Sequence, residues 1–313
     1  MSHLPDFLII GAAKAGTTAL FDILRGHPGI FLPELKEPHH FAFRDERPNL
    51  VAPDGRYVRI NDRAVYDHEQ YGALFAAKDP NQIAGEASVS TLFYARSAAA
   101  VVEARPEMKL VAVLRNPADR AYSSFNHARR WGLETESDFD RALDLEPERI
   151  EARCPLLMRY VAGGRYARLL QPFLETFPRD QIHLIRYEDF RSDATNTLQD
   201  LLRFLGVDPT IELDVATSSN VAAVPATGNP LHALITADSV LHRVGRRVVP
   251  LAVRNQLLPP IKARLFGRPE PLDPSIRQRI ATETADDVVR LHQLTGLDCL
   301  HWADPAPIGD HQR

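Results

Sequence analysis

"DFLIIGAAKAGTTALFDILRGHP", residues 6–28, decides the fold. The apolar run Asp6–Gly11 ends in glycine, as a strand buried on both faces does. Beyond the loop, Ala19, Leu20, Ile23 and Leu24 recur on one helical face until His27-Pro28 stops the pattern. Strand, glycine loop and helix make the first half of a βα unit. A backbone that turns through Gly11 and Gly16 into a helix start aims N–H groups outward, and the helix dipole adds partial positive charge there. The ligand that follows is an anion. Thr17 and Thr18 supply hydroxyls and Lys14 a full charge. The nucleotide-triphosphatase loop reads G-x-x-x-x-G-K-[ST]; here the lysine sits inside the loop and Thr17 takes its slot. A tight βα turn with no ligand is the plainer alternative. The joint occurrence of strand, lysine, two glycines, two threonines and helix outweighs it.

Working outward, strands are predicted at 82–88, 109–115 and 181–188, with helical patterns at about 67–77, 95–105, 118–131 and 163–177. Strands alternating with helices give an α/β fold with a parallel sheet covered on both faces. From about residue 194 the chain reads as helical. "TNTLQDLLRFLGV" stops at Gly206, and a last helix opens at Asp273-Pro274 and closes at Gly296. The stretch 44–66, rich in charge, Pro, Asp and Asn, reads as a surface loop. Without repeats or a low-complexity linker, residues 1–313 are expected to form one domain with a helical C-terminal portion.

Composition narrows the function. A hydrophobic share of 44%, a charged share of 25% and a net charge of −4 suit a soluble globular protein and give no reason to expect nucleic acid. No run is long enough for a membrane span, the N-terminus has no signal-peptide pattern, and the cytoplasm is the expected compartment. Cys154 and Cys299 form no metal or redox motif, though a disulfide between them stays open. The segment 240–268 carries seven arginines and lysines and no acid. A solvated helical face is the preferred account of it over a surface for membranes or an anionic acceptor.

A second stretch is "LRNPADRAYSSFNHARR", residues 114–130. Arg115 closes a strand, Asn116-Pro117 turns, and Ser123 and Ser124 come about two turns into a helix. A triphosphatase would place an aspartate at this strand end to hold magnesium. A cation followed by hydroxyls instead makes a second anion site. Alternatively Arg115 is a surface residue paired with Asp119 or Asp138, and this stretch alone leaves the two accounts even.

Together the two stretches resemble the PAPS-dependent sulfotransferases (PAPS is 3′-phosphoadenosine 5′-phosphosulfate). The likeness is closest to the branch of heparan sulfate sulfotransferases and their bacterial relatives. "AKAGTT" (13–18) is similar to that family's "PKxGTT", and "LRNPADRAYSSFNH" (114–127) to its "LRNPxDRxxSxxxH". The likeness extends to "KEPHHF" (36–41), "GEASVS" (85–90), "GGRY" (163–166) and "LTGLDCLHW" (294–302).

The resemblance implies a P-loop NTPase-like three-layer fold. It implies that Lys14, Ala15, Gly16, Thr17 and Thr18 bind the 5′-phosphosulfate, and that Arg115 and Ser123 bind the 3′-phosphate. Lys14 would also stabilise the bridging oxygen as the sulfuryl group leaves, without a metal. Glu37 falls where the heparan sulfate branch has its catalytic base, while His39 or His40 would serve if the chain follows the phenol and steroid branch. The acceptor would be a sugar, lipid or secondary-metabolite hydroxyl. Two departures stand out. Ala87 replaces a lysine common in that branch, and "FGRPEP" (266–271) only faintly matches its cofactor-covering loop, leaving Arg268 as a weak contact candidate. The rival functions are an ATP- and magnesium-dependent phosphotransferase with Glu86 or Glu188 as metal ligand, and a non-catalytic nucleotide-binding module.

Overall fold

The computed structural model of the protein describes residues 4–58, 60–215, 224–225, 266–267 and 269–304. Five strands form one parallel sheet: β1 (Phe7–Gly11), β2 (Ile30–Phe31), β3 (Ile83–Ala87), β4 (Lys109–Leu114) and β5 (Ile182–Arg186). Their order is β2-β3-β1-β4-β5. β1 is buried along its whole length and β4 from Leu110 onward. That is why both read as unbroken apolar runs: a central parallel strand meets helices on either face. The two-residue β2 escaped the sequence reading because so short a run carries no period.

The order explains where a ligand goes. From β1 the chain builds β2 and β3 on one side, then crosses to place β4 on the other. The crevice outside the carboxyl ends of β1 and β4 is therefore the topological switch point, where open α/β sheets bind ligands. The α/β class and the central parallel sheet are as the sequence predicted.

The expected helices form at His68–Ala73, Arg96–Ala104, Pro117–Arg130 and Tyr166–Thr176. In the C-terminal portion, Ala194–Leu205 stops at left-handed Gly206 (φ 84°). The long Pro274–Thr295 helix opens at Asp273, whose side chain accepts from the Ser275 N–H, and closes at left-handed Gly296. Its Asp287 carboxylate accepts from the N–H groups of Ala167 and Arg168 at 2.9 and 3.1 Å. The long helix thus caps the first turn of Tyr166–Thr176 from outside. Its Arg277 pairs with Asp119 at 2.6 Å.

One expectation needs revision, and two questions left open by the sequence are answered. Residues 44–66 are not a plain surface loop: Leu50, Ala52 and Val58 are buried in a cluster with Ile60 and Leu133. The buried Asn61 side chain satisfies both the N–H and the carbonyl of Leu50, at 2.9 and 2.8 Å, so a polar residue closes the loop inward. Arg115 pairs with neither Asp119, which belongs to Arg277, nor Asp138, which caps Phe139–Asp144. Cys154 and Cys299 are both free thiols, each buried. Residues 131–160, from which no elements were predicted, hold helices Phe139–Asp144 and Glu146–Glu151. A buried Glu134–Arg149 pair at 2.7 Å and the Tyr160 hydroxyl at 2.7 Å from Glu134 anchor that region. Arg268 and most of the basic segment 240–268 lie outside the described residues.

Candidate active site

The loop after β1 is tied to the sheet by the Ala12 N–H, which reaches Val113 at 2.7 Å on the neighbouring strand. It turns through Lys14 (φ 68°) and Gly16 (φ 94°), both left-handed, into the helix Thr17–Leu24. Gly16 is the N-cap and has no side chain to bond the first turn. The leading N–H groups of that helix therefore have neither an intrahelical carbonyl nor a cap, and remain available to an anion. A Cβ at Gly16 would lie 3.0 Å from the Tyr187 ring, so the turn is packed flush against β5's continuation. Thr17 is buried and Thr18 exposed.

Lys14 is the electrostatic centre. Its Nζ lies 3.1 Å from His127 Nδ1. Burial pushes the Lys14 ammonium down to about 8, and the nearby charges of Arg115, Arg130 and Lys36 push the same way. Burial also pushes His127 down to about 3, with Lys14 and Arg130 adding to it. The imidazole is thus neutral near pH 7, and Nδ1 accepts from the ammonium. Crowding cations lowers a lysine's pKa because each repels the next proton; an arriving anion relieves that repulsion. A group of cations held together in this way is a preformed receptor for a polyanion.

The β4 end supplies the second half. Asn116 caps Pro117–Arg130 by accepting from Ala118 and Asp119. Its own N–H donates to Glu188 Oε1 at 2.9 Å. The Tyr166 hydroxyl donates to the Arg115 carbonyl at 2.8 Å. The Arg115 guanidinium stacks over the Tyr187 ring at 4.7 Å and reaches the Lys14 carbonyl at 3.4 Å. Ser123 is half-buried and faces the same side of the helix as His127, four residues on. Ser124 is buried and donates to the Leu157 carbonyl at 2.7 Å, so of the two serines Ser123 is the one left for a ligand.

Glu37 stands at the end of β3. Its N–H bonds the Ala87 carbonyl at 3.0 Å, and its Oε2 accepts from the Val89 N–H at 3.0 Å. Oε1 pairs with Lys36 at 2.9 Å. Glu37 and His39 both adopt left-handed backbone, at φ 62° and 55°. Non-glycine residues held there concentrate at functional sites. His39 lies 3.6 Å from Glu37 and 2.8 Å from the Ser90 hydroxyl, and burial lowers its pKa. His40 is separated from this group. It stacks on Tyr71 at 4.1 Å and its Nδ1 donates to the Val65 carbonyl. Glu86 is fully buried, accepts from the Tyr71 hydroxyl at 3.2 Å, and is pushed up to about 7, chiefly by burial. Glu34 is exposed.

Lys14, Gly16, Thr17, Arg115 and Glu37 therefore border one region at the carboxyl edge of the sheet. Lys36 links its halves, being bonded to Glu37 and close enough to Lys14 to lower its pKa. Sequence reasoning assigned no role in the site to Lys36, His127, Arg130 or Tyr187. His127 had a usable signal, since it sits one helical turn after Ser123. Lys36 had one in its position beside Glu37. Tyr187 had none, because its partners are distant in the chain.

A profile of the "Sulfotransferase domain" family matches residues 4–222. Carbohydrate sulfotransferase 15 of Mus musculus is 28% identical over 253 aligned positions, covering 67% of this chain and 45% of the mouse protein. Bifunctional heparan sulfate N-deacetylase/N-sulfotransferase 1 of Caenorhabditis briggsae is 29% identical over 215 positions, covering 64% of this chain and 22% of its own length. The chain thus spans less than half the length of either relative. The crystal structure of a sulfotransferase from Alicyclobacillus acidocaldarius superposes with a TM-score of 0.73 at 28% identity, covering 96% of this chain and 98% of that one.

Proposed function

The chain belongs to the sulfotransferase domain family, and from that membership we propose that it moves the sulfuryl group of PAPS to a hydroxyl acceptor, releasing adenosine 3′,5′-bisphosphate. The observation that carries this reading is the cation group gathered at the β1/β4 switch point, in which Arg115, Arg130 and Lys36 all act on Lys14. The loop N–H groups, Lys14 and Thr17 would hold the 5′-phosphosulfate, and Arg115 and Ser123 the 3′-phosphate. Of the two candidate magnesium ligands of a phosphotransferase, Glu188 accepts from the Asn116 N–H through one oxygen, and Glu86 is buried against Tyr71.

The proposed step is an in-line substitution at sulfur. The acceptor oxygen forms the new S–O bond while the bond from sulfur to the bridging oxygen breaks. That electron pair goes to the phosphate, whose growing charge Lys14 stabilises. The acceptor proton goes to the Glu37 carboxylate. Lys36 orients Glu37 through its 2.9 Å bond. Relatives named for carbohydrate and heparan sulfate support a saccharide as the acceptor.

Thermal unfolding tests the donor. Adenosine 3′,5′-bisphosphate at one hundred times its Kd should stabilise the protein by about 2.7 kcal/mol without a divalent metal. Arg115→Ala should weaken bisphosphate binding by about 1.5–3 kcal/mol, the scale of a hydrogen bond to a charged group, and barely alter binding of adenosine 5′-phosphate. Equal stabilisation by ADP, or a strict magnesium requirement, overturns the reading.

A further inference from the structure

We propose that Tyr187 is a positioning residue whose ring holds the Arg115 guanidinium ready for the 3′-phosphate while walling the Gly16 turn. It rests on the donor assignment above. Three observations converge on that ring. The Arg115 guanidinium carbon lies 4.7 Å from its centroid. A Cβ on Gly16 would lie 3.0 and 3.1 Å from its Cδ2 and Cε2, so the loop backbone touches the ring edge. The next residue, Glu188, accepts from the Asn116 N–H at 2.9 Å and fixes the chain just beyond Arg115.

Arg115 needs such a support. It has no carboxylate partner among the described residues. Its side-chain hydrogen bond there is a long one to the Lys14 carbonyl, at 3.4 Å. An unpaired arginine on the edge of a cation group would otherwise swing into solvent, because Lys14 repels it. An aromatic face attracts a guanidinium without neutralising it or occupying its donors. The N–H groups not turned to the Lys14 carbonyl stay free to meet a phosphate bidentately. A carboxylate in the same place would compete with the ligand. Tyr187 comes directly after β5, which neighbours β4 in the sheet, and opens the helix Tyr187–Ser192, so the ring sits at a strand–helix junction and not in a loop.

The test is a double-mutant cycle on the full chain, with the bisphosphate and adenosine 5′-phosphate as probes and calorimetric Kd as readout. Tyr187→Leu keeps apolar contact with Gly16 and removes the π face. It should raise the bisphosphate Kd about 2- to 30-fold, the span of an arginine–aromatic contact, and change the adenosine 5′-phosphate Kd less than twofold. Tyr187→Phe should restore wild-type affinity. In an Arg115→Ala background, Tyr187→Leu should add nothing. A loss of equal size in both backgrounds, or equal losses for both probes, overturns the proposal and leaves the donor assignment standing. A wild-type protein that does not prefer the bisphosphate sinks both. Should Tyr187→Leu fail to fold, Tyr187→Met gives the same comparison with an unbranched side chain.

Discussion

At the scale of single residues, the main consequence is that Lys14 couples ligand binding to protons. Burial and three neighbouring cations lower it from 10.5 to about 8. Between those values the unfolded chain holds this proton and the folded apo protein does not. This group therefore makes the apo fold more stable as pH rises through that window. Bisphosphate binding runs the other way, since it needs the ammonium. Its Kd should rise above about pH 8, by up to tenfold per pH unit. Titration calorimetry across pH 7–10 checks this, and Lys14→Arg should flatten the profile, because arginine keeps its proton. Glu37 makes a separate prediction. Glu37→Gln should lower turnover about 10²–10⁴-fold and leave bisphosphate affinity nearly unchanged, whereas His39→Asn costs much less and His40→Asn acts through the core. A severe His39→Asn with a mild Glu37→Gln would reassign the base. The residues legible in the sequence were those whose chemistry is local. Gly11, Lys14, Gly16 and Thr17 act within one turn of chain. His127 meets Lys14 across 113 residues, and no local pattern encodes that distance.

At the scale of elements, the site depends on packing behind it. The Gly163-Gly164 pair lies against Arg120 and Pro117, at the start of the helix that carries Ser123 and His127. A Cβ at Gly163 would come within 2.9 Å of the Arg120 guanidinium. That guanidinium is buried and bonds the carbonyls of Arg159 and Tyr160, so it cannot give way. Gly163→Ala should therefore destabilise by about 1–3 kcal/mol, the usual cost of overpacking. A urea melt measures it, and an unchanged midpoint would mean that the pair has room to spare. The main strands and helices were legible because their apolar periods are strong. Residues 44–66 misled because their polar composition says solvent, while Asn61 turns inward to satisfy the backbone of Leu50. Composition records what a side chain is, and burial depends on whether its hydrogen bonds are met elsewhere.

At the scale of the whole molecule, the C-terminal helix braces the site from outside. Asp287 meets the N–H groups of Ala167 and Arg168, and the preceding Tyr166 bonds Arg115. Asp287→Ala strands those donors and should cost about 1–3 kcal/mol in a urea melt; a cost under 0.5 kcal/mol would show that water replaces the carboxylate. The sequence predicted this helix and its caps but not where it docks, which depends on a contact 120 residues apart. The strand order has a consequence in time. β1 is central, yet its partners β3 and β4 begin only at Ile83 and Lys109. At roughly 5–20 residues per second, the interval from Phe7 to Ile83 takes roughly 4–15 s on the ribosome. Throughout it, "FLII" is an apolar segment whose two sheet partners are not yet made, so β1 should stay unprotected until β4 emerges. Ribosome-arrested chains should show β1 open to protease before β4 is exposed and protected afterwards; early protection without a chaperone would mean that β1 shelters against its own loop helix.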